Sequence, residues 1–329
     1  MWKFLVRRLL LSAIILFIVA LIIYTILRCL PTSYIESVAR ELSNKPGSKS
    51  YTEVLAQLKE VYKMNGSILE GFFAWIGGSL LKGDFGVSWV YNVPVVDKFK
   101  DVIWDSFYLG FASLILELVI AIPLGIIAAR KQYSRTDYSV TVFALVGISL
   151  PSFFFATLLK LVFAFKLNWL EPVGKVSRFH DQMTGLGQAM DVSAHFLLPV
   201  LTLTIVSIGF LMRYTRTNML EVLNSDYIRT ARAKGLSERS VINKHAFRNT
   251  LIPIVTIVGG TLPSLFAGAM ITEQLFSIPG IGYTSYNAMI KGDLPFSMFY
   301  MLFLAALTLL GTLIADILYA VVDPRVRVN

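Results

Sequence analysis

The stretch from Arg213 to Arg248 reads RYTRTNMLEVLNSDYIRTARAKGLSERSVINKHAFR, with eight Lys/Arg against three Asp/Glu and a long apolar run on either side. Its centre has a helix–glycine–helix pattern. Asn224 or Ser225 can N-cap a short helix, Asp226 suits its positive end, and Arg229, Arg232 and Lys234 suit its negative end. Gly235 stands where a left-handed residue ends such a helix. Ser237 and Glu238 then restart a helix, with Lys244 and Arg248 towards its end. Tyr227, Ile228, Ala231, Leu236, Val241, Ile242 and Phe247 add apolar residues that a lipid-facing role does not explain. Two capped helices at a membrane surface predict a docking element for a cytoplasmic partner.

The flanking runs set the fold class. Of 329 residues, 55% are hydrophobic and 16% charged, and the mean hydropathy is +0.65. A soluble domain carries roughly 25% charged residues, so the composition indicates an all-α integral membrane protein. At about 20 apolar residues per crossing, six stretches qualify: Leu9–Leu27, Ser106–Ala129, Val140–Phe165, Ala194–Met212, Leu251–Thr272 and Ser297–Val322. Lys3, Arg7 and Arg8 precede the first, as in a signal peptide. Its 19 uncharged residues nevertheless exceed an h-region of roughly 7–15, and no clean cleavage site follows. An uncleaved first span is expected.

Loop charge sets the orientation. With the N-terminus inside, segments 1–8, 130–139, 213–250 and 323–329 hold 16 Lys/Arg in 63 residues, against 12 in 127 for the outer loops. The positive-inside bias puts both termini in the cytoplasm of a multi-pass plasma-membrane protein, the inner membrane in a Gram-negative cell. The outer loops hold 14 Asp/Glu and the inner segments five. The formal charge of +9 is therefore a topology signal; the expected surroundings are membrane lipid, with no nucleic acid. The division that follows is 1–30 for the N-terminus and first span, 31–105 for a large extracytoplasmic loop, and 106–329 for a five-helix core containing the loop 213–250.

The outer loop is too long for a simple turn. Thr52–Met64 has apolar residues at helical spacing, and Ile68–Leu81 is apolar enough to lie in the interface plane with Phe72, Phe73 and Trp75 as anchors. Gly83–Val95, GDFGVSWVYNVPV, is punctuated by Gly and Pro; a lid or a docking surface for an external partner fits its aromatics. Before the last span, Phe276-Ser277-Ile278-Pro279-Gly280-Ile281-Gly282 requires a tight backbone path.

The run DYIRTARAKGLSERSVINKHAFRNTLIP resembles the coupling loop of permease subunits of ABC-type importers, most of all the B-type subunit of the oligopeptide/dipeptide permease family. Arg229-Thr230-Ala231 stands in that superfamily's EAA slot, Gly235 matches its glycine, and His245-Ala246-Phe247-Arg248 fills the later I-x-L-P slot in a form similar to the peptide-family version. Gly83–Val95, the Pro-Gly-x-Gly of Pro279, Gly280 and Gly282, and the terminal Asp323-Pro324-Arg325-Val326-Arg327 are similar to further landmarks of the family. The resemblance implies a type I importer permease architecture of six transmembrane helices. It implies coupling to an ATPase through Asp226, Tyr227, Ile228, Ala231, Arg232, Gly235, Leu236, His245 and Arg248, and a place near the path for Pro279, Gly280 and Gly282. The implied partners are a homologous second permease subunit in a heterodimer, two cytoplasmic ATPase subunits that bind ATP and Mg, and an extracytoplasmic substrate-binding protein. The implied cargo is peptides; nickel complexes, glutathione and other small solutes are alternatives within the family.

Glu117 sits mid-span, where a charge costs roughly 3 kcal/mol; it is either a pathway residue or a packing residue hydrogen-bonded to a neighbouring helix. Lys160 is expected to snorkel to the interface, and Asp316 to pair with an inner-face arginine. The prolines at 123, 151, 199, 253 and 263 interrupt helices. Cys29 is the single cysteine, so there is no internal disulfide, and His180, His195 and His245 match no ligand spacing, so no metal site is expected. No Gly-x-x-x-x-Gly-Lys-Ser/Thr, HExxH or GxSxG occurs, so the chain is expected to be a non-catalytic subunit with no cofactor of its own. A secondary carrier would show related halves with midplane ion ligands, and it would leave the 213–248 module unexplained.

Overall fold

Backbone groups in lipid must bond within their own segment, and the apolar runs accordingly form helices. The computed structural model describes residues 2–29, 34–45, 49–61 and 64–322. The helices are α1 (Trp2–Cys29), α2 (Tyr34–Ser43), α3 (Tyr51–Val61), α4 (Ile68–Lys82), α5 (Val95–Arg130), α6 (Arg135–Ser149), α7 (Ser152–Leu159), α8 (Gly185–Leu223), α9 (Asp226–Ala233), α10 (Glu238–Ser240), α11 (Phe247–Thr261), α12 (Met270–Phe276), α13 (Ile281–Ile290) and α14 (Leu294–Val322). Four are long and apolar enough to cross a membrane, or six if each of two bent pairs counts as one span. Pro31, Tyr62 and the terminal Asp323–Arg327 signature lie outside the described residues.

Two expected spans are not single rods. Within Val140–Phe165, α6 and the helix from Ser152 to Lys166 meet at 103°. The cause is local: Leu150 precedes Pro151 and adopts an extended conformation, φ −102° and ψ 138°, as the proline ring demands of its predecessor. Leu251–Thr272 bends by 44° at Pro253, passes through a 3-10 turn over Leu262–Phe266, and is interrupted before α12. Lys160 finds a partner within its own unit. Its ammonium donates to the Leu275 carbonyl at 2.8 Å and lies 5.3 Å from the Phe276 ring, so it serves the negative end of α12.

The chain forms two compact units, residues 1–104 with 281–310, and residues 105–280 with 311–329. In the first, Phe72 is fully buried against Ala20, Tyr24 and Met298. The expectation of an interfacial anchor is thus corrected at Phe72: α4 packs on α1, and Phe73 alone of that aromatic pair is exposed. The Gly83–Val95 segment is a tight loop pinned by the buried Asp293. That carboxyl accepts from Ser88 Oγ, from the Val90 amide at 3.0 Å and from the Phe296 amide at 3.2 Å, which caps α14. Burial, and next the Asp293 carboxyl, push the Tyr91 phenol up to about 12, so its hydroxyl stays a donor to Thr284 O.

In the second unit α8 is the axis. Its 39 residues span about 58 Å at 1.5 Å each, well beyond a bilayer core of roughly 30 Å. Gly147 of α6 and Gly209 of α8 sit against each other's helix backbones, at Ile205 O and Ala144 O, with no room for a side chain. This is the small-residue packing that membrane helices use. The last three turns of α8 contain Arg213 and Arg216, so this part of the basic segment is a rigid extension of a span and not loop.

Candidate functional site

The helix–turn–helix at 224–248 is built on that extension. Ser225 has N-cap geometry, φ −75° and ψ 153°, but its hydroxyl donates to Val222 O at 2.6 Å and so ties α9 to the end of α8. Asp226 fills the first turn of α9 and Arg232 the last. The helix closes as a Schellman turn: Gly235 N donates to Arg232 O at 2.9 Å and Leu236 N to Ala231 O at 3.4 Å. Gly235 is left-handed, φ +77°, at the position the sequence assigns it. Ser237 then caps α10, accepting from Ser240 N at 3.4 Å. Arg232 bridges the turn to Glu238 at 2.7 Å; both side chains are solvated, so the pair contributes about 0–1 kcal/mol.

The second helix does not end near Arg248. A π turn over Val241–Ala246 carries α10 directly into α11, a device common at functional sites. The helix–turn–helix therefore meets α8 through the short turn at Asn224–Ser225 and runs into α11 without a break in the helical backbone.

Burial corrects the assignment of the apolar residues. Ile228, Ala231, Val241, Ile242 and Ala246 are buried together with Met219 and Ala129. They seat the module on this chain's own helices and offer nothing to a partner. Tyr227 (46%) and Leu236 (41%) are exposed, and Asn249 fixes the Tyr227 hydroxyl at 3.2 Å. The outward surface thus comprises Asp226, Tyr227, Arg229, Arg232, Lys234, Gly235, Leu236, Glu238 and Arg239, four cations and two carboxylates around two apolar side chains. Arg248 is exposed and His245 half-buried on the following turns.

The remaining sequence-assigned residues lie elsewhere. Glu117 is half-buried in α5, with Ser207 of α8 nearby. Pro279 is exposed; Gly280 and Gly282 are buried. Sequence reading missed three features. Asp137, 3% exposed, holds Arg216 through two bonds of 2.7 and 2.8 Å, locking α6 to the extended end of α8. His180 and His195, scattered in sequence, both approach the Asp191 carboxyl, at 2.8 and 3.4 Å. Glu273, counted with the loop carboxylates, is fully buried.

Residues 121–328 match the family described as binding-protein-dependent transport system inner membrane component. The chain belongs to this family. It is similar to the oligopeptide transport system permease protein OppB of Haemophilus influenzae, 34% identical over 99% of this chain and 100% of the relative. It is also similar to the AppB oligopeptide permease protein of Bacillus subtilis, 38% identical over 82% of this chain and 84% of the relative, and to the dipeptide permease protein DppB of Escherichia coli K12, 32% identical over 99% of each. Among solved structures, the inward-facing MetNI methionine ABC transporter aligns with a TM-score of 0.52 at 14% identity, over 69% of this chain and 97% of that one, which is a likeness of fold. This inner-membrane component is thus an all-helical importer permease of type I architecture, and the helix–turn–helix lies within the matched residues.

Proposed function

We propose that this permease carries peptides across the plasma membrane, driven by ATP hydrolysed on separate cytoplasmic subunits that bind ATP and Mg and grip the 226–248 surface. One observation carries the reading: an exposed, mixed apolar and charged turn lies directly between two spans, reached from α8 through the two-residue turn Asn224–Ser225 and passing into α11 through a π turn. A homologous second permease subunit completes the path, which runs along their interface because six spans alone enclose little. An extracytoplasmic binding protein delivers the solute. Peptides are the cargo that the names of OppB, AppB and DppB support. The test is co-purification of this chain with the second permease and ATPase subunits, followed by ATP hydrolysis in liposomes. Peptide-loaded binding protein is expected to stimulate it; stimulation by nickel complexes or glutathione alone would move the cargo to those solutes.

The proposed orientation has both termini in the cytoplasm and residues 31–105 outside. Cys29 is exposed, so it is first replaced. In intact cells a cysteine at Lys49 then reacts with a membrane-impermeant thiol reagent, and one at Ser237 reacts only after permeabilisation. The reverse pattern would place the coupling surface on the wrong side.

A further inference from the structure

α12 has seven residues, yet three other parts of its unit hold it. Lys160 binds the Leu275 carbonyl at 2.8 Å. The Gly174 amide binds the Phe276 carbonyl at 2.8 Å. Ser106, near the start of the second span, donates its hydroxyl to Glu273 Oε1 at 2.6 Å. The same oxygen accepts the Ala269 amide at 2.8 Å, where the segment enters. At the exit lies Gly280. A Cβ there would stand 2.5 Å from the Glu273 carboxyl and from Ser106 Oγ. One fully buried carboxyl group therefore bonds to the entry and to Ser106 within α5, and packs against the exit.

An apolar side chain would bury at this place without the desolvation cost of a carboxyl. It could not serve the two donors that converge on Oε1. The kind of contact matters as well. Apolar surfaces slide over one another, whereas an O–H···O bond holds over about 2.5–3.0 Å and is gone by 3.6 Å. A segment held this way has a held state and a released state, with little between them.

We propose that Glu273 is a positioning residue that latches the segment Ala269–Gly280 onto α5 at Ser106, and so keeps the extracytoplasmic end of the path shut until the binding protein docks. The sidedness and the docking partner rest on the importer reading given above; the latch itself rests on Glu273, Ser106, Ala269 and Gly280.

The test is ATP hydrolysis by the reconstituted complex, with and without binding protein, in Glu273→Ala, Glu273→Gln, Ser106→Ala and Gly280→Ala. Losing a latch of about one net hydrogen bond raises unstimulated hydrolysis about fivefold and flattens the stimulation in Glu273→Ala. Gly280→Ala behaves likewise, because its methyl group displaces the carboxyl. Ser106→Ala, which removes one donor, gives a smaller rise. Glu273→Gln stays near wild type, since its amide oxygen accepts both donors. A wild-type ratio of stimulated to unstimulated hydrolysis in Glu273→Ala and Ser106→Ala overturns the latch, as does a Gln variant that behaves like Ala. If Glu273→Ala fails to assemble, Ser106→Ala decides by the same ratio. Absence of any stimulation in the wild-type complex sinks the importer reading and the latch with it; stimulation that the variants retain sinks the latch alone.

Discussion

Gly235→Val abolishes most transport while the permease still inserts and still assembles with its partners. At φ +77° a β-branched residue is a steric outlier, with a cost of about 1–2 kcal/mol for the left-handed conformation. Apart from its chain neighbours, no atom lies within 4 Å of an added Cβ, so the strain comes from the backbone conformation and not from a tertiary contact of that atom. The backbone relieves it by leaving the left-handed region. That movement breaks the Schellman pair to Arg232 and Ala231 and changes the angle between α9 and α10. The two apolar contacts of the surface, Tyr227 and Leu236, stand on opposite sides of this turn and lose their spacing. Uptake is expected to fall at least about tenfold, the equivalent of 1.4 kcal/mol. Asparagine, which tolerates the left-handed region, retains most of it. Uptake measured alongside co-purification checks both parts, and wild-type uptake in the valine variant would count decisively against a coupling role for the turn.

Asp137→Asn destabilises the permease itself. The Asp137 carboxyl is buried, and it receives the Arg216 guanidinium side-on together with the Tyr133 amide at 2.9 Å. Removing one partner of such a pair leaves the other charge uncompensated, a loss of about 3–5 kcal/mol for fully buried pairs. The Arg216 side chain is 26% exposed, which puts the expected loss at the lower end. Because Arg216 lies on the extension of α8, the variant also loosens the base of the coupling module. Thermal unfolding of the detergent-solubilised chain measures the effect. Arg216→Lys on its own loses less, since an ammonium keeps the charge opposite Asp137 but not the two-point fit. An unchanged midpoint in Asp137→Asn would remove this pair from the account.

Much of this was legible in the sequence because lipid makes the rules few. An apolar run of sufficient length has to satisfy its backbone within itself, and so is helical. The C-terminal cap of α9 was readable to the residue, since Gly235 follows a charge-graded helix, whereas the expected N-terminal side-chain cap is not made and Ser225 bonds back to Val222. What hydrophobicity does not report is direction. Val140–Phe165 is uniformly apolar, and only Pro151 marks the place where the chain turns by 103°. Nor does it report what covers a face. Ile228 and Ala231, three residues apart, share one side of α9, and spacing alone suits a partner's groove as well as the chain's own Met219. Glu273 shows the same limit: nothing in the sequence marks a carboxylate just beyond a span as buried until its neighbours are known. Ser106, its donor, is 167 residues away.

The most direct test of the account is a photo-crosslink from the outward face of the module. With Cys29 replaced, cysteines at Tyr227, Ile228, Leu236 and Lys49 are each labelled with a thiol-reactive benzophenone in the isolated, detergent-solubilised permease, which is then assembled with its partners and irradiated. The account predicts that Tyr227 and Leu236 yield adducts with the ATPase subunit, and that Ile228, at 0% exposure, and the outer-loop Lys49 yield none. Adducts from Lys49, or none from Tyr227 and Leu236 in a complex that hydrolyses ATP, would contradict it.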